Sequence, residues 1–377
     1  MGITRIKHVT GTITRMFFGI SLWSISSFAF AEYGLNFQKP VTPIAERILG
    51  LHNLIIIIVL VIFVIVFSFM FYSIIVHRKS RGHKPAKFHD NIKLEIVWTA
   101  IPFLILVGMA IPSTATLLEM EDVSKSDLTV KITGYQWKWR YDYPDHDVSF
   151  FSTLSTPRDQ IENKAAKGEN YLLEVDNPIV LPVGKKVRFL ITANDVIHAW
   201  WVPQLGVKKD AIPGFINEMW ARIDEPGTYR GQCAELCGKD HGYMPIVVEA
   251  VSQREFDKWV SLQRNKAVAA QASATQTWSK AKLMARGKQM YGQCAACHGA
   301  NGEGVGPFPK LTGSKIATGP VSNHLKIVMQ GKPGTAMQAF GAQLNDVDIA
   351  AVVTYERNAL GNNTGDVVQP SQVKALR

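Results

Sequence analysis

The sequence predicts a multidomain membrane protein with a hairpin of two transmembrane helices, a β-sandwich and a small all-α domain. Three observations point there. Two long apolar runs, 54–76 and 96–118, carry no charge; short β-branched strands follow from 128 to 260; and a C-x-x-C-H motif occupies 294–298. The chain has 377 residues, enough for two or three domains, and its 47% hydrophobic content is concentrated rather than spread. All 4 cysteines fall in two short clusters.

The chain opens as a secretory signal. Arg5, Lys7 and Arg15 precede an apolar stretch, and Ala29-Phe30-Ala31 is a small-x-small site, so 1–31 is expected to be a signal peptide cleaved after Ala31. Residues 32–118 then form the membrane region. A helix needs about 20 apolar residues to cross a bilayer core, and both runs exceed that. Pro102 and Pro112 lie inside the second, where neighbouring groups can re-satisfy the freed backbone. The connecting loop holds Arg78, Lys79, Arg81, Lys84, Lys87 and Lys93, a basic excess that belongs in the cytoplasm. Everything after 118 is therefore expected outside the membrane. The net charge of +10 owes much to this loop and the signal, which excludes a nucleic-acid partner as its explanation.

Residues 119–264 read as an antiparallel sandwich, with strands expected in 128–143, 170–177, 185–193 and 244–251, and a short helix at 253–264. The chemistry lies in GQCAELCGKDHGYM, 231–244. Outside the cell, paired cysteines usually form disulfides, but Cys233 and Cys237 are too close to staple a fold and sit among metal-binding side chains. Thiolate, imidazole and thioether together select copper. A mononuclear blue-copper site uses one cysteine, whereas two thiolates can bridge a pair of ions. A second imidazole must come from another loop, and NDVIHAWWVP offers His198.

Residues 265–282, rich in Ala, Gln, Ser and Thr, read as a flexible tether with some helix. The next domain, 283–362, contains CAACH, the signature of covalent haem attachment. Cys294 and Cys297 add to the haem vinyl groups, and His298 supplies the proximal imidazole. A methionine sixth ligand suits an electron carrier. Met329 lies at helical packing spacing, whereas Met337 lies in an irregular loop and is the expected ligand. Residues 363–377 read as a tail.

VIHAWWVPQLGVKKDAIPG, GQCAELCGKDHGYMPIVVE and LEIVWTAIPFLIL resemble subunit II of cytochrome c oxidase over about 40–260. The resemblance implies a cupredoxin sandwich holding binuclear copper, CuA. Cys233 and Cys237 would bridge the ions, His198 and Met244 complete one, and His241 and the Glu235 carbonyl complete the other. The Glu235 side chain would help hold magnesium shared with subunit I. Trp137 corresponds to the point where electrons enter, but Lys138 replaces the aromatic that usually follows it. Asp142, Asp145, Asp147, Asp176 and Asp195 either dock a basic cytochrome or form a solvated face. Glu95, in LEIVWT, either opens a proton path into subunit I or caps a helix beside Lys93. Residues 284–360 resemble a class I cytochrome c with Met337 as axial ligand.

The implied activity is that of an oxidase subunit relaying electrons from a c-type cytochrome, through haem c and CuA, to haem a of subunit I, where oxygen becomes water and protons are pumped. The implied partners are subunit I with its haem–copper centre, subunit III, a soluble or membrane-bound c-type cytochrome and the lipid bilayer of a bacterial inner membrane. Alternatives are the electron-input subunit of a CuA-type nitric oxide reductase and a membrane-tethered carrier with no catalytic partner. Haem a in a partner chain separates the oxidase from both.

Overall fold

The computed structural model describes residue 34 and residues 36–377, apart from 83, 85, 86 and 88. The expected signal peptide, 1–31, lies outside the described residues. Met1–Pro40 is a unit of its own, and the architecture below is that of Val41–Arg377.

Helices α1 (Pro43–Val76) and α2 (Ile92–Glu121) extend beyond the two apolar runs at both ends or at one. Each starts at a side-chain cap: Thr42 accepts from Ala45 N, and Asn91 accepts from Leu94 N. Among the described residues these two helices are long and apolar enough to cross a membrane, and no residue of their apolar windows is buried within the chain. The 30 residues of α2 make a rod of about 45 Å, against a bilayer core of about 30 Å. The surplus lets the outer ends seat on the β domain. The Thr42 hydroxyl donates to Leu205 O at 2.8 Å, and Trp220 Nε1 donates to Glu119 O at 2.9 Å. Arg47 pairs with Glu119 at 2.7 Å.

The sandwich contains β1 (Leu128–Tyr135), β2 (Lys138–Tyr143), β3 (Val148–Ser152), β4 (Ile179–Pro182), β5 (Lys186–Ala193), β6 (His198–Val202), β7 (Val207–Ala211), β8 (Asn217–Arg222), β9 (Gly227–Cys233) and β10 (Pro245–Val251). One sheet runs β3-β2-β1-β5-β8 and the other β4-β10-β9-β6-β7. Strand alternation places Trp139 and Tyr141 inward from β2, facing Trp200, Ile246 and Val248 of the second sheet, all fully buried.

The sheets are not wholly antiparallel, as the sequence reading expected. β1 pairs parallel with β5, and β4 pairs parallel with β10. The chain leaves one sheet, crosses to the other and returns, and such long crossovers permit parallel neighbours. The strand expected at 170–177 is also absent. Leu173 N bonds back to Asn170 O, and Leu172 has a φ of 62°, so the backbone turns there; only Val175 bridges to Leu154.

Helix α3 (Gln253–Ser273) starts at a Ser252–Glu255 capping box and buries Phe256 and Val260 on the sandwich. It continues through half of the expected tether, because the alanines and glutamines there are good helix formers. The helical domain follows with α4 (Lys280–Met290), α5 (Gly292–His298), α6 (Val321–Gln330), α7 (Asp346–Asn358) and α8 (Pro370–Lys374). At Gly287 of α4 an added Cβ would meet Ala351 O of α7 at 2.1 Å, so only glycine permits this crossing. The segment read as a tail packs as part of this domain: Val368 and Val373 are buried in its core, and Val368 N donates to Thr354 Oγ1 at 3.0 Å.

Candidate metal centres

Strand β9 ends at Cys233 and β10 begins at Pro245, so 234–244 is a loop with both ends fixed in one sheet. Strand β6 begins at His198 and pairs with β9, with Trp200 opposite Cys233. This pairing brings His198 from its separate loop to the cysteine cluster. His198 Nδ1 lies 3.9 Å from Cys233 Sγ, and Cys237 Sγ lies 3.9 Å from Cys233 Sγ. His241 Nδ1 is 3.5 Å from Cys237 Sγ, Met244 Sδ is 3.5 Å from the same sulfur, and Glu235 O is 3.3 Å from Cys233 Sγ. Six donor groups from His198, Cys233, Glu235, Cys237, His241 and Met244 thus meet in one place. They are sulfurs, imidazoles and a carbonyl, with Cys233, Cys237 and Met244 buried, a soft set that fits copper.

The surrounding residues hold this arrangement. Asp195 Oδ1 accepts from His198 Nε2 at 2.8 Å, which leaves Nδ1 as the nitrogen turned to the sulfurs. Burial pulls the His198 pKa down, but the hydrogen bonds to Asp195 and Cys233 outweigh it and keep it above the ordinary histidine value. The contact between the thiols holds Cys233 well below the usual thiol range and pushes Cys237 up. Trp139 Nε1 donates to Met244 O at 3.2 Å, and its ring lies edge-on to His198 at 5.9 Å. Gln136 Nε2 and Trp137 Nε1 both donate to Cys237 O, at 2.8 and 3.3 Å. Trp137 therefore touches the cluster's backbone directly.

The second cluster lies on α5, which carries Cys294, Cys297 and His298. His298 Nδ1 donates to Pro309 O at 2.7 Å, because a carbonyl can only accept. That fixes the tautomer and leaves the Nε2 lone pair free, the state required of a haem ligand. Met329 is buried in the α6 core beside Leu325 and Val328, whereas Met337 is half-buried in the loop after α6 and outside that core.

The remaining candidates lie apart. The Glu235 side chain and neighbouring Leu236 are exposed, while the Glu235 carbonyl turns inward. Glu95 sits in the first turn of α2, at the end opposite the sandwich, and among the described residues forms no ion pair with Lys93. A carboxylate there complements the helix N-terminus.

Two supporting residues lie outside the ligand set that the spacing exposes. In the sequence Asp195 is one of several surface acids, yet its position three residues before His198 matches the reach of its carboxylate to the ring. Gly134 on β1 carries no signal of its own; an added Cβ there would meet His198 Cδ2 at 2.7 Å.

Three family profiles match the chain in succession: cytochrome c oxidase subunit II, transmembrane domain, over 31–116; cytochrome c oxidase subunit II, periplasmic domain, over 128–251; and cytochrome c oxidase, cbb3-type, subunit III, over 282–355. A probable cytochrome c oxidase subunit 2 of Rickettsia bellii is 44% identical over 255 residues, covering 66% of this chain and 93% of that one. The cytochrome c oxidase subunit 2 of Cereibacter sphaeroides is 37% identical over 244 residues, covering 61% and 80%. The crystal structure of the periplasmic domain of subunit II from Bradyrhizobium japonicum is 45% identical, covers 38% of this chain and 98% of its own, and superposes with a TM-score of 0.35.

Gly134→Ala is expected to displace the His198 ring and weaken copper binding at least severalfold, with the strand content unchanged. Copper titration followed by absorbance, alongside far-UV circular dichroism, checks this; wild-type affinity in the variant would mean that the ring has room to move.

Proposed function

This chain belongs to the cytochrome c oxidase subunit II family, which makes it a subunit of a terminal oxidase, and from that premise we propose the route its electrons take. They pass from a c-type cytochrome, by way of haem c and CuA, to haem a of subunit I, where oxygen is reduced to water with proton pumping. The convergence of the six donor groups on the β9–β10 loop carries this reading. The bound copper pair and haem supply reversible one-electron chemistry.

Each role falls to particular side chains. Cys233 and Cys237 would hold the copper pair through their sulfurs, with His198, Met244, His241 and the Glu235 carbonyl as the remaining ligands. Burial of both cysteines keeps water from the sulfurs, and the sheet limits how far the ligands move. The exposed Glu235 carboxylate is free to reach subunit I and share a magnesium ion with it. Cys294 and Cys297 would carry the haem, and His298 and Met337 would ligate its iron; the packing of Met329 in the core supports the choice of Met337. Trp137 is the assigned point of electron input, supported by its bond to Cys237 O. Glu95 is assigned to the mouth of a proton path.

The basic loop between α1 and α2 supports a bacterial inner membrane location with both redox domains on the outer side. We assign 119–264 to the copper domain and 283–377, including the former tail, to the haem domain. Subunit III and a c-type cytochrome donor complete the proposed partners.

Three measurements test these roles. Cys233→Ser or Cys237→Ser should abolish the mixed-valence copper signal in electron paramagnetic resonance and leave the haem c bands intact; an unchanged copper signal would sink the assignment. Met337→Ala should lower the haem potential and disturb its low-spin spectrum, since a thioether ligand raises potential; the same effect from Met329→Ala instead would move the ligand. Glu95→Gln should slow oxygen consumption while haem c and copper reduction stay fast. Full turnover in that variant would leave Glu95 as a helix cap.

A further inference from the structure

The outer face of β2 is covered by the helical domain. Lys138 lies there and is only 5% exposed. Its ammonium donates to Gln293 Oε1 at 3.0 Å and lies 4.8 Å from the Phe151 ring centre and 5.4 Å from that of Phe340. Phe151 belongs to the sandwich and Phe340 to the helical domain, so the cation is held between a ring from each. Burying an ammonium is costly, and here burial pulls the Lys138 amine down to about 8. Nearby, Arg140 Nη1 donates to Ala342 O at 3.4 Å and Lys239 Nζ to Ala296 O at 3.1 Å.

A second contact lies closer to the copper ligands. Gln338 Nε2 donates to Asp195 Oδ2 at 3.1 Å and to Gln136 O at 3.3 Å. The other oxygen of Asp195 holds His198 Nε2 at 2.8 Å. Gln338 directly follows Met337, and Gln293 directly precedes Cys294. The helical domain therefore meets the sandwich through the two segments that flank its haem-binding residues.

We propose that this seam is a built docking interface whose occupant is the chain's own haem domain, and that Gln338 is a positioning residue that joins the haem-bearing loop to the copper histidine through Asp195. The proposal rests on the assignment of the clusters to CuA and haem c. The step it would serve passes one electron from the bound haem to the bound copper pair, with no bond made or broken. With the seam closed, a cytochrome from outside has no access to the face around Lys138 and must deliver its electron to the haem domain.

The test uses the full-length, metal-loaded protein in its complex, as wild type, Gln338→Ala and Gln338→Glu; the last sets a carboxylate against Asp195. Amine acylation read by mass spectrometry compares Lys138 with Lys185, whose side chain is 47% exposed. Electron transfer from photoreduced haem c to copper is timed on the same samples. Wild-type Lys138 should label at least about tenfold more slowly than Lys185. Both variants should label Lys138 about tenfold faster than wild type and transfer electrons about tenfold more slowly, the effect of one lost hydrogen bond to a charged group. Haem and copper spectra should stay as in wild type, which separates positioning from damage to either centre. Equal labelling of Lys138 and Lys185 in the wild type would overturn the docked seam. Unchanged transfer rates in both variants would overturn the role of Gln338. Absence of a copper or haem signal in the wild type would instead defeat the underlying assignment, and the labelling comparison would still decide the seam.

Discussion

The candidate copper site depends on the pairing of β6 with β9. His198 is the first residue of one strand and Cys233 the last of the other, and the register sets Trp200 opposite Cys233, which carries His198 just past the end of β9 to the ligand loop. The remaining ligands then need only a short loop, because β10 pairs with β9 and returns the chain at Met244 and Pro245. The sandwich core fixes these strand ends, with Trp200 and Ile246 fully buried beneath them. Gly134 and Asp195 refine the imidazole: one leaves it room and the other sets its rotation and tautomer. A site made this way changes shape little, which suits the one-electron role proposed for it.

The same frame sets where the site stands relative to the membrane. The outer ends of α1 and α2 are bonded to the sandwich at Leu205 and through Trp220, so the copper domain is not a bead on a string. On another face the haem domain rests on β2. Its contacts are mostly single hydrogen bonds to backbone or amide groups, with Lys138 as the one buried charge among them. Desolvating that ammonium opposes docking, and the two rings and the Gln293 amide offset part of the cost. A seam so balanced resembles a transient interface more than a domain core.

Much of the site was legible because its ligands are local. Cys233, Cys237, His241 and Met244 share one loop, and residue chemistry alone points to copper. His198 lies on a distant loop, and the β6–β9 pairing brings it near. The membrane runs and the C-x-x-C-H motif are equally local. What escaped depends on long-range pairing. The parallel neighbours β1 and β5 have the same alternation as antiparallel ones, so composition does not distinguish them. Residues 170–177 have strand-like side chains, but a turn at Leu172 decides the backbone. The final residues looked like a tail because their valines are few and spaced by polar residues, yet Val368 and Val373 fill the haem-domain core. The seam was hidden for a different reason: Lys138 and Gln338 lie 200 residues apart, and nothing in either neighbourhood names the other.

Helix α3 has a consequence that a loose tether would not. Its first half is seated on the sandwich through Phe256 and Val260, and its far end is tied to the haem domain, where Trp278 Nε1 donates to Ser273 O at 3.0 Å and the indole packs on the helical core. The connection is thus phased as well as spaced. Each residue of an α-helix turns the chain by about 100° and advances it by about 1.5 Å. Adding or removing one residue between Val260 and Ser273 barely alters the length but swings whatever follows around the helix axis, turning the haem-bearing loops away from β2. The connector's length therefore matters modulo a helical turn, whereas the identity of its exposed side chains does not set that phase.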